Sequence, residues 1–344
     1  MTLVQIVPAG SGGVRDFATS LQSQWSHSGW PSSIIELTND SIATAPLRHQ
    51  LNRIDVAFGR PVAVLLHFSA YGYGARGLCG WLAREVAAAR DQLGSRMRLV
   101  TFFHELSAGG LPWRSAFWLG PLQGHSAQRL AQLSDEVATN TERHARWLGA
   151  RVRRATPIKA TPVFSGIGEA ADPPQAAERS ADMVLFGAAA TRERAWKLLL
   201  RCPTQLTTLG VHNVTEIGPG SAVGHMLGTI AHRHLGAVDA TSVVQALRQH
   251  RFALIDYPSV HLGKSSVFAA YAAHGCVVLN TAPPGPDTDG LAAGRHYVNL
   301  RGHADQRLDM QHLQSVADAL QAWYRTHTLT SQADSLAALL CAIN

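Results

Sequence analysis

Four short segments of this 344-residue chain carry side chains whose types and spacing could do chemistry. YPSVHLGKSSVF follows an apolar run and opens a helix, so Lys264, Ser265 and Ser266 sit at the positive end of that helix's dipole. A diphosphate would be well placed there, held by a cation and by backbone N–H groups that the helix leaves unpaired. GKSS matches the end of a P-loop, but the glycine expected about five positions upstream is missing, with Ser259 near that place, and a nucleoside-triphosphatase is disfavoured. Ser265 also suits a plain helix N-cap, which accounts for the serine and not for the lysine. AGSGGVRDF places Gly12 and Gly13 in a strand-to-helix turn whose N–H groups can face an anion, with Arg15 close by. It lacks the GxGxxG register and an acidic residue ending the next strand at a convincing distance, so it is not the dinucleotide fingerprint; it reads equally as a tight turn. TFFHELSAGG sets His104 and Glu105 at the end of a very apolar strand, a pair suited to general-base work or to binding a sugar hydroxyl. HFSAYGYGARG adds His67, Tyr71, Tyr73 and Arg76 in a glycine-rich loop.

Other segments carry less. HRHLG puts His232 and His234 two apart, but no third ligand follows at a recognisable spacing, and no metal site is read there. No GxSxG, HExxH or Cys-His pattern occurs, which argues against serine hydrolases and zinc proteases. Cys79, Cys202, Cys276 and Cys341 form no CxxC pair, so neither a zinc knuckle nor a disulfide framework is suggested. LPWRSAFWLGPL, with Trp113, Arg114 and Trp118, is rich in aromatics. Its favoured reading is an amphipathic helix packed in the core; the other is an apolar edge resting on a membrane surface.

These residues need elements to position them. LVQIVPAG reads as a strand, VRDFATSLQSQW as a helix, and the alternation repeats through SSIIEL, PVAVLLHFSA, GLCGWLAREVAAARDQL, RLVTFFHEL and SAQRLAQLSDEVATNTERHARWL, the last a helix. It restarts with DMVLFGAA, TRERAWKLLLRC, QLTTLG as a strand, TSVVQALRQH, RFALIDYP, KSSVFAAYAAHG and GCVVLNTA. Continuous apolar strands separated by amphipathic helices predict parallel sheets covered on both faces. The expected organisation is an N-terminal Rossmann-like domain over 1–156, a linker over 157–182, a second Rossmann-like domain over 183–310, and terminal helices over 311–344 that could cross back to the first. Ligands of open parallel sheets bind beyond the carboxyl ends of strands, which directs attention to Gly10–Gly13, His67–Gly77, His104–Gly110, Gly187–Arg194 and Tyr257–Ser266.

Length and composition agree. The chain exceeds the ~250–300 residues at which single cores stop growing. With 46% hydrophobic and 16% charged residues it is a folded globular protein, neither disordered nor collagenous. The net charge of +6 is mostly arginine spread along the chain, which favours anionic partners: phosphate, a nucleotide or an acidic membrane surface. Nucleic acid is not expected, because no basic-aromatic, zinc-finger or helix-turn-helix signature is visible. No stretch reaches the ~18–20 apolar residues of a membrane span, and MTLVQIVPAGSGG has no basic region before its apolar run. A cytoplasmic protein is expected, with peripheral contact at the inner membrane face as the remaining membrane option.

The second half also carries a resemblance. MVLFGAAATRERAWKLL, HRHLGAVDATSVVQALRQHRFALIDYP and KSSVFAAYAAHGCVVLNT resemble the donor-binding domain of GT-B-fold glycosyltransferases, particularly the family 4 type found in bacterial polysaccharide clusters. AYAAHGCVV (Ala270 to Val278) stands where that family has its EAMAxGxPVV helix, and GSGGVRDF and TFFHEL are similar to its acceptor domain. The resemblance implies an α/β fold of two Rossmann-like domains facing each other across a cleft. It implies metal-independent transfer of a sugar from a nucleotide-sugar, a co-substrate and no resident cofactor, to a carbohydrate or lipid-linked acceptor. Arg192 and Arg194 resemble the family's phosphate-binding pair and would join Lys264 and Ser265 at the diphosphate, while His104 or Glu105 would face the acceptor. One departure matters. Retaining members carry two glutamates eight positions apart at this loop and helix, and Leu262 and Ala270 occupy those places here. The alternative is therefore a catalytically inactive relative that binds nucleotide or glycan, or supports a partner transferase.

Overall fold

The computed structural model describes residues 2–58, 61–107, 113, 115–154, 156–200, 203–223, 229–301 and 308–342; Gly110, Arg114 and Cys202 lie outside them. Contacts divide the chain into two units, 1–162 with 329–344, and 163–328.

In the first unit, strands β1 (Thr2–Pro8), β2 (Ser32–Leu37), β3 (Val62–Phe68), β4 (Met97–Phe103), β5 (Glu136–Thr139) and β6 (Lys159–Ala160) form a parallel sheet in the order β2-β1-β3-β4-β5-β6. Its helices are α1 (Gly13–His27), α2 (Ser41–Thr44), α3 (Leu47–Phe58), α4 (Ala70–Tyr73), α5 (Gly80–Leu93), α6 (Ser115–Leu133) and α7 (Glu142–Gly149). Every residue of β3 is buried, as a strand covered on both faces requires. Val62, Val64, Leu66 and Phe68 point to the core shared with Leu51, Leu82 and Val86. The alternate residues, among them His67, face α1, whose Phe17 ring lies 5.1 Å from that of Phe102. The C-terminal helix Leu329–Cys341 packs on this unit: Trp25 Nε1 donates to Ala333 O at 3.0 Å and Arg98 Nε to Leu339 O at 2.8 Å.

In the second unit, β7 (Ser180–Phe186), β8 (Asn213–Ile217), β9 (Ala231–His234), β10 (His250–Ile255), β11 (Val277–Asn280) and β12 (Val298–Asn299) form a parallel sheet in the order β12-β11-β10-β7-β8-β9. The helices are α8 (Ala189–Leu199), α9 (Pro203–Thr208), α10 (Ala240–Gln249), α11 (Ser266–Ala273) and α12 (Met310–Tyr324). Its core joins Met183, Leu185, Trp196, Phe252, Leu254, Val277 and Leu279.

Three sequence expectations are corrected. SAQRLAQLSDEVATNTERHARWL is not one helix: α6 ends at Leu133, β5 pairs with β4, and Thr141 accepts from His144 N at 3.3 Å to cap α7. QLTTLG is not a strand but runs from α9 into a turn, because Pro203 suits a first helical position better than its threonines suit a sheet. The aromatic stretch is helical from Ser115 on, but its described rings are not in the core: Trp113, in a turn before the helix, and Phe117 and Trp118 on it are exposed.

Candidate functional site

In an open parallel sheet a crevice forms where strand order reverses, since the loops leaving the two strands part to opposite faces. In the second unit that point lies between β7 and β10. The loop after β7 begins with Gly187, and the chain after β10 runs through Asp256 and the 3-10 turn Ser259–Lys264 into α11. Tyr271 fixes that helix to the strand ends. Its hydroxyl accepts from Phe186 N at 2.9 Å and donates to Leu254 O at 3.2 Å, which satisfies the polar tip of a fully buried ring. The first turn of α11 therefore lies beside the β7 loop, so close that a Cβ on Gly187 would be 3.3 Å from Val267 Cγ2.

Lys264, Ser265 and Ser266 come together there by chain continuity. Ser265 is buried and caps α11, its Oγ accepting from Phe268 N at 3.2 Å; Lys264 is half-buried and Ser266 exposed. Arg194 is half-exposed, its Nε 3.2 Å from Asp256 Oδ2, and Asp256 Oδ1 accepts from Thr281 Oγ1 at 3.3 Å. Asn280, at the end of β11, staples this edge: its Nδ2 donates to Tyr257 O at 2.8 Å and its Oδ1 accepts from Tyr257 N at 3.2 Å and Ala282 N at 3.0 Å.

Arg192 stands apart from them. Its side chain is 0% exposed, Nε bonds Glu216 Oε1 at 2.8 Å, Nη1 donates to Gly187 O at 2.7 Å and Nη2 to Pro219 O at 3.0 Å. The expected phosphate contact is corrected to a buried brace between the loops after β7 and β8. Gly218, at φ 149, lets the two loops approach; a side chain there would run into the Arg192 guanidinium and the Gly187 carbonyl. His232 belongs to the same network, Nε2 lying 2.8 Å from Glu216 Oε2.

In the first unit the reversal falls between β1 and β3. Gly12, at φ 147, is the N-cap position of α1, and with Gly13 it is exposed. Arg15 is taken by Glu36 near the end of β2, an acidic residue the sequence reading passed over. One turn further, Phe17 lies edge-on to His67 and His104, its centroid 5.7 Å and 5.0 Å from theirs. Beneath it runs a buried chain of polar groups. Gln5 Nε2 donates to Ala18 O at 3.0 Å, so Gln5 Oε1 accepts from His67 Nε2 at 2.9 Å. His67 then offers Nδ1 as acceptor to His104 Nε2–H at 3.1 Å, which leaves His104 Nδ1 as the basic end. Asn140 Nδ2 holds the His104 carbonyl at 3.1 Å, and Ser69 Oγ donates to Glu105 Oε2 at 3.3 Å. His104 and Glu105 thus meet Ser69 and Asn140 at one sheet end. Gln5, Asn280 and Tyr271 were missed in the sequence. The available signal was a polar group inside an otherwise apolar strand or helix (LVQIVP, VFAAYAA).

Burial pushes the His67 imidazole down to about 3; burial, then the neighbouring His67 and His144, holds His104 well below the ordinary histidine range. Both rings stay neutral when folded, whereas in the unfolded chain they take up protons below about pH 6.5. The unfolded state binds more protons between about pH 3 and 6.5, so stability from this pair is complete above that window and lost as pH falls through it. Imidazole ¹⁵N spectra should show both rings neutral at about pH 5. Titration of either near 6.5 would remove this pair from the pH dependence.

No family model matches the chain, and a search of curated proteins finds no match. Solved structures do match over its whole length. Anabaena HepE, in complex with UDP and glucose, is 13% identical, with 100% of each chain covered and a TM-score of 0.62. The UDP-forming α,α-trehalose-phosphate synthase of Burkholderia vietnamiensis is 12% identical, covering 100% of this chain and 98% of that one at a TM-score of 0.63. The lipopolysaccharide outer core galactosyltransferase WaaB, in its apo form, is 13% identical, with 99% of each chain covered and a TM-score of 0.59. The chain has the GT-B fold. At this identity the likeness is one of fold; what these neighbours bind and transfer is a property of those proteins.

Proposed function

We propose that this protein is a metal-independent glycosyltransferase, related to the family 4 type, that moves a sugar from a nucleotide-sugar donor to a carbohydrate or lipid-linked acceptor in bacterial polysaccharide synthesis. The observation supporting this reading is a GT-B fold along the entire chain whose second sheet carries a diphosphate-suited edge at its reversal point, with Lys264 and the amino end of α11 beside the Gly187 loop. Lys264, Ser266 and Arg194 take the diphosphate there, and Ser265 holds the helix end that faces it. A cation and a helix dipole stabilise the leaving diphosphate, the role a metal ion fills in other transferases. His104 Nδ1 takes the acceptor hydroxyl proton or binds that hydroxyl, with Glu105 beside it; Gly12 and Gly13 contribute N–H groups from the neighbouring loop.

A second reading has its own observation. Leu262 and Ala270 are both 1% exposed and apolar where the retaining family places glutamates, which favours a protein that binds nucleotide or glycan without turnover, or one that supports a partner transferase. Thermal unfolding with UDP and other nucleoside diphosphates tests the donor site; a ligand at 100 times its Kd should add ~2.7 kcal/mol. No shift with any nucleotide would sink both nucleotide readings. Release of nucleoside diphosphate from a nucleotide-sugar separates them: the transferase releases it, the inactive relative binds and does not.

A further inference from the structure

We propose that the first unit carries a second ligand site, for a phosphorylated, hydroxyl-rich small molecule such as a sugar phosphate, in the cavity between the carboxyl end of α6 and the segment 151–156 that leads to β6. The cavity has a volume of about 640 Å³. Small-molecule sites span ~300–1,000 Å³. It lies apart from the transfer site proposed above. Glu136 opens β5 and lines the cavity, whereas Asn140, which holds the His104 carbonyl, follows the other end of that strand, ~13 Å away.

Charge selects an anion. Arginines occur throughout the chain, yet from Arg143 to Lys159 there are six cations and no carboxylate, a surplus equal to the net charge of +6 of the whole protein. Arg151, Arg153 and Arg154 of that run line the cavity. Arg154 cancels what would repel an anion there. Its Nη1 donates to Asp135 O and its Nη2 to Ala131 O and Ser134 O, each at 2.7 Å, which covers carbonyls at the negative end of α6. The two carboxylates of the wall are occupied as well: Asp135 Oδ2 accepts from Arg90 Nη1 at 2.9 Å and from Leu99 N at 2.7 Å, and Glu136 Oε2 lies 4.0 Å from Arg154 Nη1.

Arg151 and Arg153 then remain for a ligand. Arg151 is exposed but braced, its guanidinium carbon 4.1 Å from the centroid of the Trp147 ring and its Nη1 3.3 Å from Trp147 O. Arg153 is exposed and makes no hydrogen bond or ion pair among the described residues. Two guanidinium forks on one wall match the oxygens of a phosphate, which they bind in pairs. The Gln132 amide and the Thr156 hydroxyl, exposed on the same cavity, suit hydroxyl groups. A bare phosphate ion would leave most of this volume to water, and a sugar carrying the phosphate uses both sets of donors.

The test uses the full-length chain, with glucose 1-phosphate as probe and glucose as the uncharged control. It needs neither nucleotide nor turnover, so its outcome is separate from that of the transferase reading. Glucose 1-phosphate should slow the modification of Arg153 by phenylglyoxal, mapped by peptide mass spectrometry, at least about fivefold relative to Arg143, and glucose should not. Arg153→Glu should weaken binding of the probe at least about tenfold in titration calorimetry without moving the unfolding midpoint, since the side chain is exposed. The proposed donor edge also attracts phosphate, so Lys264→Ala is measured alongside and should bind the probe as the parent does. Binding lost in Lys264→Ala and kept in Arg153→Glu would overturn the proposal and give the probe to the donor edge. No protection of Arg153 at about 10 mM probe would overturn it too. So would protection by heparin and not by the sugar phosphate, which would assign the basic segment to an extended polyanion.

Discussion

Arg192→Ala should destabilise the second unit by about 3–5 kcal/mol. The pair it breaks with Glu216 is 0% exposed on both sides, and Glu216 also accepts from Val223 N at 3.0 Å and faces His232. Removing the guanidinium leaves a carboxylate in a dry site and three loop carbonyls, of Gly187, Pro219 and Ser221, without their donor. Replacing both partners by leucine should cost less than the sum of the single changes, because no lone charge then remains buried. Arg192→Lys should not restore the protein, since an ammonium cannot reach Glu216 and two loops at once. Urea unfolding of these variants decides the matter; a loss under about 1 kcal/mol in Arg192→Ala would show that the pair is not the brace its geometry describes. Nucleotide affinity will fall in Arg192→Ala as well, through the displaced Gly187 loop. That loss alone is no evidence of a phosphate contact.

Lys264→Ala should behave in the opposite way, weakening nucleoside diphosphate binding by about 10- to 100-fold with a nearly unchanged unfolding midpoint. Lys264 is half-buried beside the cap of α11 and carries no core, so its removal subtracts a cation from a helix end that Ser265 and Tyr271 still hold. Arg194→Ala should cost less, about 3- to 10-fold, because that side chain is half-exposed and already shares Asp256. Titration calorimetry with UDP reads both. Affinity in Lys264→Ala within twofold of the parent would place the diphosphate elsewhere in the molecule.

Much of this architecture was legible in the chain because its signals are local. PVAVLLHFSA and RFALIDYP are short apolar runs of strand length, and their alternation with helices predicted a parallel sheet in each half. The Gly12–Gly13 turn and the cap at Ser265 also follow from neighbours in sequence. β5 and α9 were misread because a four-residue strand in a polar surrounding, and threonines behind a proline, give periodicity too short to separate strand from helix.

What only the tertiary structure decided is where each charge and polar group ends. Arg192 and Arg194 are two residues apart and of one type, yet they lie at 0% and 53% exposure, because successive positions on a helix point about 100° apart and just one of them meets Glu216, 24 residues downstream. Gln5 and His67 lie on β1 and β3 and His104 just past the end of β4, and nothing in their local sequence announces that they form one hydrogen-bonded chain; the register of β1, β3 and β4 does that. The aromatic helix shows the same limit from the other side. Its sequence determined that an apolar stripe exists, and the packing of Gln123 and Leu130 against the first unit decided that the stripe faces out. Periodicity fixes the angle between residues on an element, while the face that is buried depends on partners far away in the chain.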